Sequence, residues 1–323
     1  MISNISGKEL KGIIEIYFVL ENTTGLLIRA PGAKMVIGGA DVMPMASKRK
    51  YMLSKGERVL EVPYIPGSSF KGRMRSLLEV LLGKDLFSTD GRIYQHFRYF
   101  ERREEAKITC TDPKCPVDTI FGHPSFHIGE VQKFAPLIGE DVVRELLKVE
   151  APTRLSVSDL WPTTACIERL IREKELEIGV DRILLSDFLE EKAENRIDRL
   201  TAAADPRTFL RIKPHIEFEG IMNYEIYLES DIEMLKYVFV GMKLVEDTYL
   251  GGCGTRGYGK IVFKKIKITP KPKDYYMGKI KKENLQYKEY VIKQDKTAIE
   301  KALEDLDSII RFVEENLGIS RES

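Results

Sequence analysis

Residues 215–229, HIEFEGIMNYEIYLE, carry the clearest alternation of apolar and polar side chains in the chain, with Ile216, Phe218, Met222, Tyr224, Ile226 and Leu228 on one side. A period of two over that length demands a strand with one face buried. Residues 11–21, KGIIEIYFVLE, repeat the pattern with Ile14, Ile16, Phe18 and Leu20. Two helical stripes lie between and after these strands. Residues 67–82 line up Phe70, Met74, Leu77, Leu78 and Leu81, and residues 231–247 line up Ile232, Leu235, Val238, Phe239, Met242 and Val245. A last basic strand, KIVFKKIKI, follows. The order strand, helix, insertions, strand, helix, strand predicts an α+β protein with a ferredoxin-like sheet.

Core elements near 11–21, 67–82 and 215–268 thus define one domain over 1–270, interrupted by long insertions. Residues 23–67 are rich in glycine and proline and read as a loop. Residues 84–130 show no periodicity and read as an insertion, residues 140–148 as a short helix, and residues 181–214 as a protrusion. Residues 271–323 form an extension whose segment 297–317 is an amphipathic helix expected to dock on this domain or on a neighbour.

Formal net charge is only +1, yet the charges are segregated. Residues 48–75 hold Lys48, Arg49, Lys50, Lys55, Arg58, Lys71, Arg73 and Arg75 against Glu57 and Glu61 alone, so a basic surface coexists with a neutral total. No run approaches the roughly 18 apolar residues of a membrane span, and the N-terminus lacks a signal pattern, which predicts a cytoplasmic protein with no membrane partner. Four cysteines are too few for a disulfide framework at this length. Cys110 and Cys115, in the irregular insertion with His96 and His123, read instead as a tetrahedral zinc clip. Asp118, His123 and His127 all remain candidates for its fourth ligand.

Two segments carry further chemistry. PYIPGSSFKGRMRS (63–76) joins a turn to a helix start, where Ser68 or Ser69 can cap the first amides and Lys71, Arg73 and Arg75 flank them. Amides and cations together make an anion site for RNA phosphates, although a helix cap with solvated cations has the same pattern. LGGCGTRGYGK (250–260) offers glycines for close approach to a phosphate chain and matches neither the P-loop nor the dinucleotide fingerprint, which excludes a nucleotide cofactor.

These segments, the loop IGGADVMPM (37–45) and the run ENRIDRLTAAADPR (194–207) resemble, in order, the motifs of the RAMP superfamily, and more closely the Csm-type backbone subunit of type III-A CRISPR complexes. The resemblance implies a modified RNA-recognition fold with a thumb from about 181–214. Copies would line up as a filament on a guide RNA, beside other Csm-type subunits, and the thumb would displace one base of a complementary target RNA at regular intervals. Asp41 then matches the cleaving residue, acting with Mg²⁺ or Mn²⁺. Guide and target contacts are expected from Lys48, Arg49, Lys50, Ser68, Ser69, Lys71, Arg73, Arg75, Arg196, Arg199, Arg207, Gly251, Gly252, Gly254, Arg256, Gly257 and Tyr258. A non-cleaving RNA scaffold is the alternative function. A stand-alone processing nuclease ranks below both, because no histidine lies near the glycine-rich loop.

Overall fold

The computed structural model describes residues 9–30, 42–88, 91–96, 99–102, 105–108, 110, 115–122, 136, 139–141, 153–293 and 295–319. Asp41, His123 and His127 lie outside the described residues, as does most of the expected helix at 140–148. In chain order the elements are β1 (Gly12–Asn22), β2 (Ala46–Leu53), β3 (Gly56–Pro63), α1 (Gly67–Leu81), β4 (Tyr99–Arg102), β5 (Glu105–Ile108), α2 (Pro116–Phe121), β6 (Leu155–Val157), β7 (Trp161–Pro162), α3 (Thr164–Ile178), β8 (Leu189–Ile197) and β9 (Ala204–Ile212). Then come β10 (Glu217–Ile226), α4 (Glu229–Asp247), β11 (Ile261–Pro272), α5 (Lys273–Tyr276), β12 (Lys288–Val291), α6 (Ala298–Glu304) and α7 (Leu306–Leu317). No helix among the described residues is long and apolar enough to cross a membrane.

The two alternating segments become the centre of a mixed α+β architecture. β1 pairs antiparallel with β10 on one side and β11 on the other, in a sheet ordered β12-β11-β1-β10-β6 with β7 also on β10. Ile14, Ile16, Phe18 and Leu20 of β1 are fully buried under α1 and α4. Phe18 stacks on Phe70 of α1 at 5.3 Å and meets Phe263 of β11 edge-on at 5.8 Å, geometries that add about 0.5–1.5 kcal/mol per pair beyond area burial. α1 crosses α4 at Gly241, where a Cβ would come within 3.1 Å of both Met74 and Leu78.

Three expectations change. The stretch 46–63, read as loop, is the β2–β3 hairpin, which buries Tyr51, Leu53, Leu60 and Val62 at alternate positions and keeps Met52 and Glu61 between them outside. Alternation was present there, but the surrounding glycines and prolines masked it. Residues 164–178, too weakly periodic to read, form α3, capped by Thr163 Oγ1 accepting from Cys166 N and buried along the narrow stripe Cys166, Ile167, Leu170 and Ile171. The C-terminal helix is broken at Asp305 into α6 and α7, whose Ile299, Ala302, Ile309 and Val313 join the main core.

Candidate nucleic-acid interface and metal centre

α1 begins at Pro66, which caps without a side chain; neither Ser68 nor Ser69 supplies the expected cap. Asp159 does that work, accepting from Gly67 N at 2.9 Å. Glycine is required at 67 because a Cβ would lie 2.4 Å from the Val157 carbonyl oxygen, so the helix start presses against β6. The helix then presents different residues to different sides. Successive positions turn by roughly 100°, which separates Arg73 from Arg75 by roughly 200°.

Ser69, Gly72, Arg73 and Ser76 share one face, and that face lines a cleft of about 540 Å³. Gly251, Gly252 and Cys253 of the glycine-rich loop form the opposite wall, and Leu27, Ile28 and Arg29 complete it. The two segments singled out from sequence therefore meet. Arg73 ties them together: Nε donates to Tyr249 O at 3.0 Å, Nη2 donates to Thr248 Oγ1 at 3.3 Å, and the guanidinium lies 4.1 Å from the Tyr249 ring centroid. Gly251, at φ +80, sits so near Leu27 that a Cβ would fall 2.5 Å from its carbonyl oxygen.

Arg75 and Lys71, also expected at phosphates, turn the other way and are engaged within the chain. Arg75 Nε pairs with Glu79 at 2.8 Å, Nη1 donates to Gly122 O and Nη2 to His96 O, leaving the side chain only 16% exposed. Lys71, one turn earlier on that side, donates Nζ to Leu155 O at 2.8 Å. Burial, with Arg75 alongside, holds the Lys71 ammonium below the ordinary lysine range.

Lys48, Arg49 and Lys50 lie on β2 and do not line the cleft. Lys50 pairs with Glu57 at 2.8 Å, while Arg49 lies 4.9 Å over Trp161, itself stacked on Tyr64 at 4.8 Å. Gly254 sits against the Tyr249 ring, and Gly257, at φ +81, faces open space. Tyr258 is fully buried. Arg256 stays half-exposed and pairs with Glu194.

β8 and β9 form a two-stranded hairpin outside the main sheet. Its tip is built by Asp198, whose Oδ1 accepts from Leu200 N, Thr201 N and Thr201 Oγ1. Those amides, Thr201 first, hold the Asp198 carboxyl below the usual range. The turn thrusts Leu200 outward at 96% exposure and Ile197 at 56%. Arg199 is exposed at this tip, and Arg196 and Arg207 both approach Asp205, at 3.5 and 3.2 Å. Asp198 and Thr201 were part of a recognised motif, but sequence did not disclose that their job is to make the turn.

The insertion brings together His96, Cys110, Cys115 and Asp118, all buried, with ligand atoms within 4.8 Å of one another. His96 Nε2 lies 3.6 Å from Cys115 Sγ and 3.6 Å from Asp118 Oδ2. A tetrahedral zinc with bonds of about 2.0–2.3 Å would space its donors by roughly 3.3–3.8 Å, a range that holds both His96 separations, while the whole set lies within 4.8 Å. The His96 ring is oriented by Nδ1 at 3.2 Å from Asp85 O, which leaves Nε2 facing the cluster. Glu79 Oε1 accepts from His96 N at 3.2 Å, so the Arg75–Glu79 pair of α1 mounts the clip.

A family model described as the RAMP superfamily matches residues 32–263. The chain belongs to this superfamily. It is 33% identical over 269 residues to "CRISPR system Cms endoribonuclease Csm3" of Methanothermobacter thermautotrophicus, covering 79% of this chain and 85% of that one. The protein of the same description from Methanocaldococcus jannaschii is 34% identical over 273 residues, covering 83% and 86%. In fold, the chain is similar to the Csm3 crystal structure of Methanopyrus kandleri, with a TM-score of 0.51 and 18% identity over 93% of this chain and 97% of that one. The family match ends at residue 263, so β12, α6 and α7 lie beyond it.

Proposed function

We propose that this chain coats a guide RNA as a repeated backbone subunit of a type III CRISPR interference complex in the cytoplasm, and cuts complementary target RNA as an endoribonuclease through Asp41. The observation that carries this reading is the shared cleft, in which one face of α1 meets the glycine-rich loop. Arg73 is its cation, and the main chain at Gly251 and Gly252 allows close approach of a ribose-phosphate strand. The succession β1, α1, β6, β10, α4, β11 with sheet order β11-β1-β10-β6 is read as a ferredoxin-like core. The β8–β9 hairpin is its thumb, with Leu200 and Ile197 placed to wedge between stacked bases. Partners are further copies of the chain in a filament and other Csm-type subunits.

Cleavage needs a target 2′-oxygen in line with phosphorus and the departing 5′-oxygen. A nucleotide pushed out of the duplex by the thumb reaches that geometry more readily than a stacked one. Bond formation from O2′ and loss of O5′ leave a 2′,3′-cyclic phosphate and a 5′-hydroxyl, with the proton moving from O2′ to O5′ through solvent or a carboxylate. A divalent ion, Mg²⁺ or Mn²⁺, supplies charge neutralisation at the phosphoryl oxygens when bound. Asp41 would orient it, and Val42, next in the chain, is held against β9 by Leu210 N donating to Val42 O at 3.1 Å.

The second metal is structural. His96, Cys110, Cys115 and Asp118 would hold zinc and tie the insertion to α1. The assembled complex, given complementary RNA and Mg²⁺, tests the main reading. We expect regularly spaced cuts that vanish in Asp41→Ala with target binding intact. Uncut target in both proteins would make the chain a scaffold.

A further inference from the structure

Glu194 opens the motif run at 194–207, yet nothing in the mechanism above uses it. Its side chain is only 18% exposed, and both carboxylate oxygens are engaged by the glycine-rich loop. Tyr258 Oη donates to Oε1 at 2.7 Å, and Arg256 Nη1 pairs with Oε2. Burial and this carboxylate push the Tyr258 hydroxyl up to about 12, so it stays a donor throughout the neutral range. Lys192 and Arg211 lie over the same ring at 4.7 and 4.5 Å, and Arg256 lies 5.7 Å from the Phe209 ring. The hairpin and the loop are therefore joined by a directional carboxylate as well as by packing.

The packing leads somewhere particular. Tyr258, Phe209, Leu27 and Val42 form a small core of their own, apart from the main one. Val42 forms a parallel bridge with Phe209 and immediately follows Asp41 in the chain. Ala30 N donating to Met43 O and Met45 N donating to Ile28 O hold the same segment to the cleft wall. Four segments distant in sequence thus share one small core, and the Glu194 carboxylate braces two of them.

We propose that Glu194 is a positioning residue for the cleavage reaction: its latch on Tyr258 and Arg256 holds the thumb hairpin, the glycine-rich loop and the segment beginning at Val42 in one arrangement. This rests on the reading of Asp41 given above. Glu194 touches neither phosphate nor metal in this role. Guide binding, spread over many phosphates and main-chain groups, should tolerate a loosened latch, whereas in-line chemistry should not.

The test uses the assembled complex with guide RNA and compares Glu194→Ala, Glu194→Gln, Tyr258→Phe and the Glu194→Ala/Tyr258→Phe pair with wild type and Asp41→Ala. In Glu194→Ala we expect the single-turnover cleavage rate to fall about ten- to a hundredfold, while guide and target affinity change by less than about threefold. Glu194→Gln, which keeps an acceptor for Tyr258 Oη, should recover part of the rate. The double variant should be no worse than Glu194→Ala, since both changes open one latch. Amide hydrogen exchange should quicken together in 250–260 and 42–45 of the Glu194→Ala protein. Wild-type cleavage and exchange in Glu194→Ala overturns the latch, and so does a parallel loss of guide binding and cleavage. Cutting that survives Asp41→Ala refutes the catalytic reading instead, and exchange alone then decides the latch.

Discussion

The cleft and the buried cluster of His96, Cys110, Cys115 and Asp118 lie on opposite sides of α1, and they are built by opposite means. On the cleft side α1 shows small residues, Ser69, Gly72 and Ser76, with Arg73 among them, and the facing wall is glycine main chain. On the other side a half-buried Arg75 and a buried Glu79 form an ion pair and spend their remaining donors and acceptors on the backbone of residues 96 and 122. An open surface suits a long polyanion, which any copy must grip without regard to sequence. A buried set of side chains suits a single small ion, which repays desolvation only when every donor is in place. Two arginines of like appearance, Arg73 and Arg75, fall on different sides of this divide because of helical geometry alone.

The sharpest way to break the contrast is at the clip. Chelation, or Cys115→Ala, should remove a stoichiometric zinc detectable by elemental analysis and lower the melting temperature by on the order of 10 °C. A metal-free protein of unchanged melting temperature would mean that the four side chains merely pack. Next in size, Arg75→Ala strands the Glu79 carboxylate and should cost about 3 kcal/mol in a denaturation experiment, with RNA affinity of the folded fraction unaltered.

Arg73→Ala should show the reverse. We expect RNA binding weakened by about three- to tenfold and a salt dependence shallower by about 0.7 per lost phosphate contact, with a stability change near 1 kcal/mol. If Arg75→Ala weakened RNA binding and Arg73→Ala cost the about 3 kcal/mol expected of a broken buried pair, the two sides of α1 would have been assigned the wrong way round.

Periodicity made the strands β1 and β10 and the helices α1 and α4 legible, since a buried stripe must recur at the period of its element. The β2–β3 hairpin was hidden because its apolar positions, Tyr51, Leu53, Leu60 and Val62, are few and its solvent face carries Lys and Glu. Three residues of the clip could be named from their types and proximity. Asp118 stood among three candidates for the fourth place, and the packing of α2 beside His96 brings its carboxylate to the cluster, while His123 and His127 lie outside the described residues. Reading Lys71, Arg73 and Arg75 as one basic cluster ignored the turn of the helix between them, information that the spacing itself contained.

Sequence alone determined the central strands β1 and β10 and the helices α1 and α4, that the chain carries RAMP motifs, and which residue types could grip phosphate or metal. These are properties of short windows, where composition and spacing act directly. Tertiary structure alone decided that Arg75 turns to the backbone of residues 96 and 122, that Tyr258 is buried, and that Glu194 joins a hairpin to a loop more than fifty residues away. Each of those depends on where remote segments pack, and the free energy that fixes it, from buried area and matched charges, belongs to no single stretch of chain.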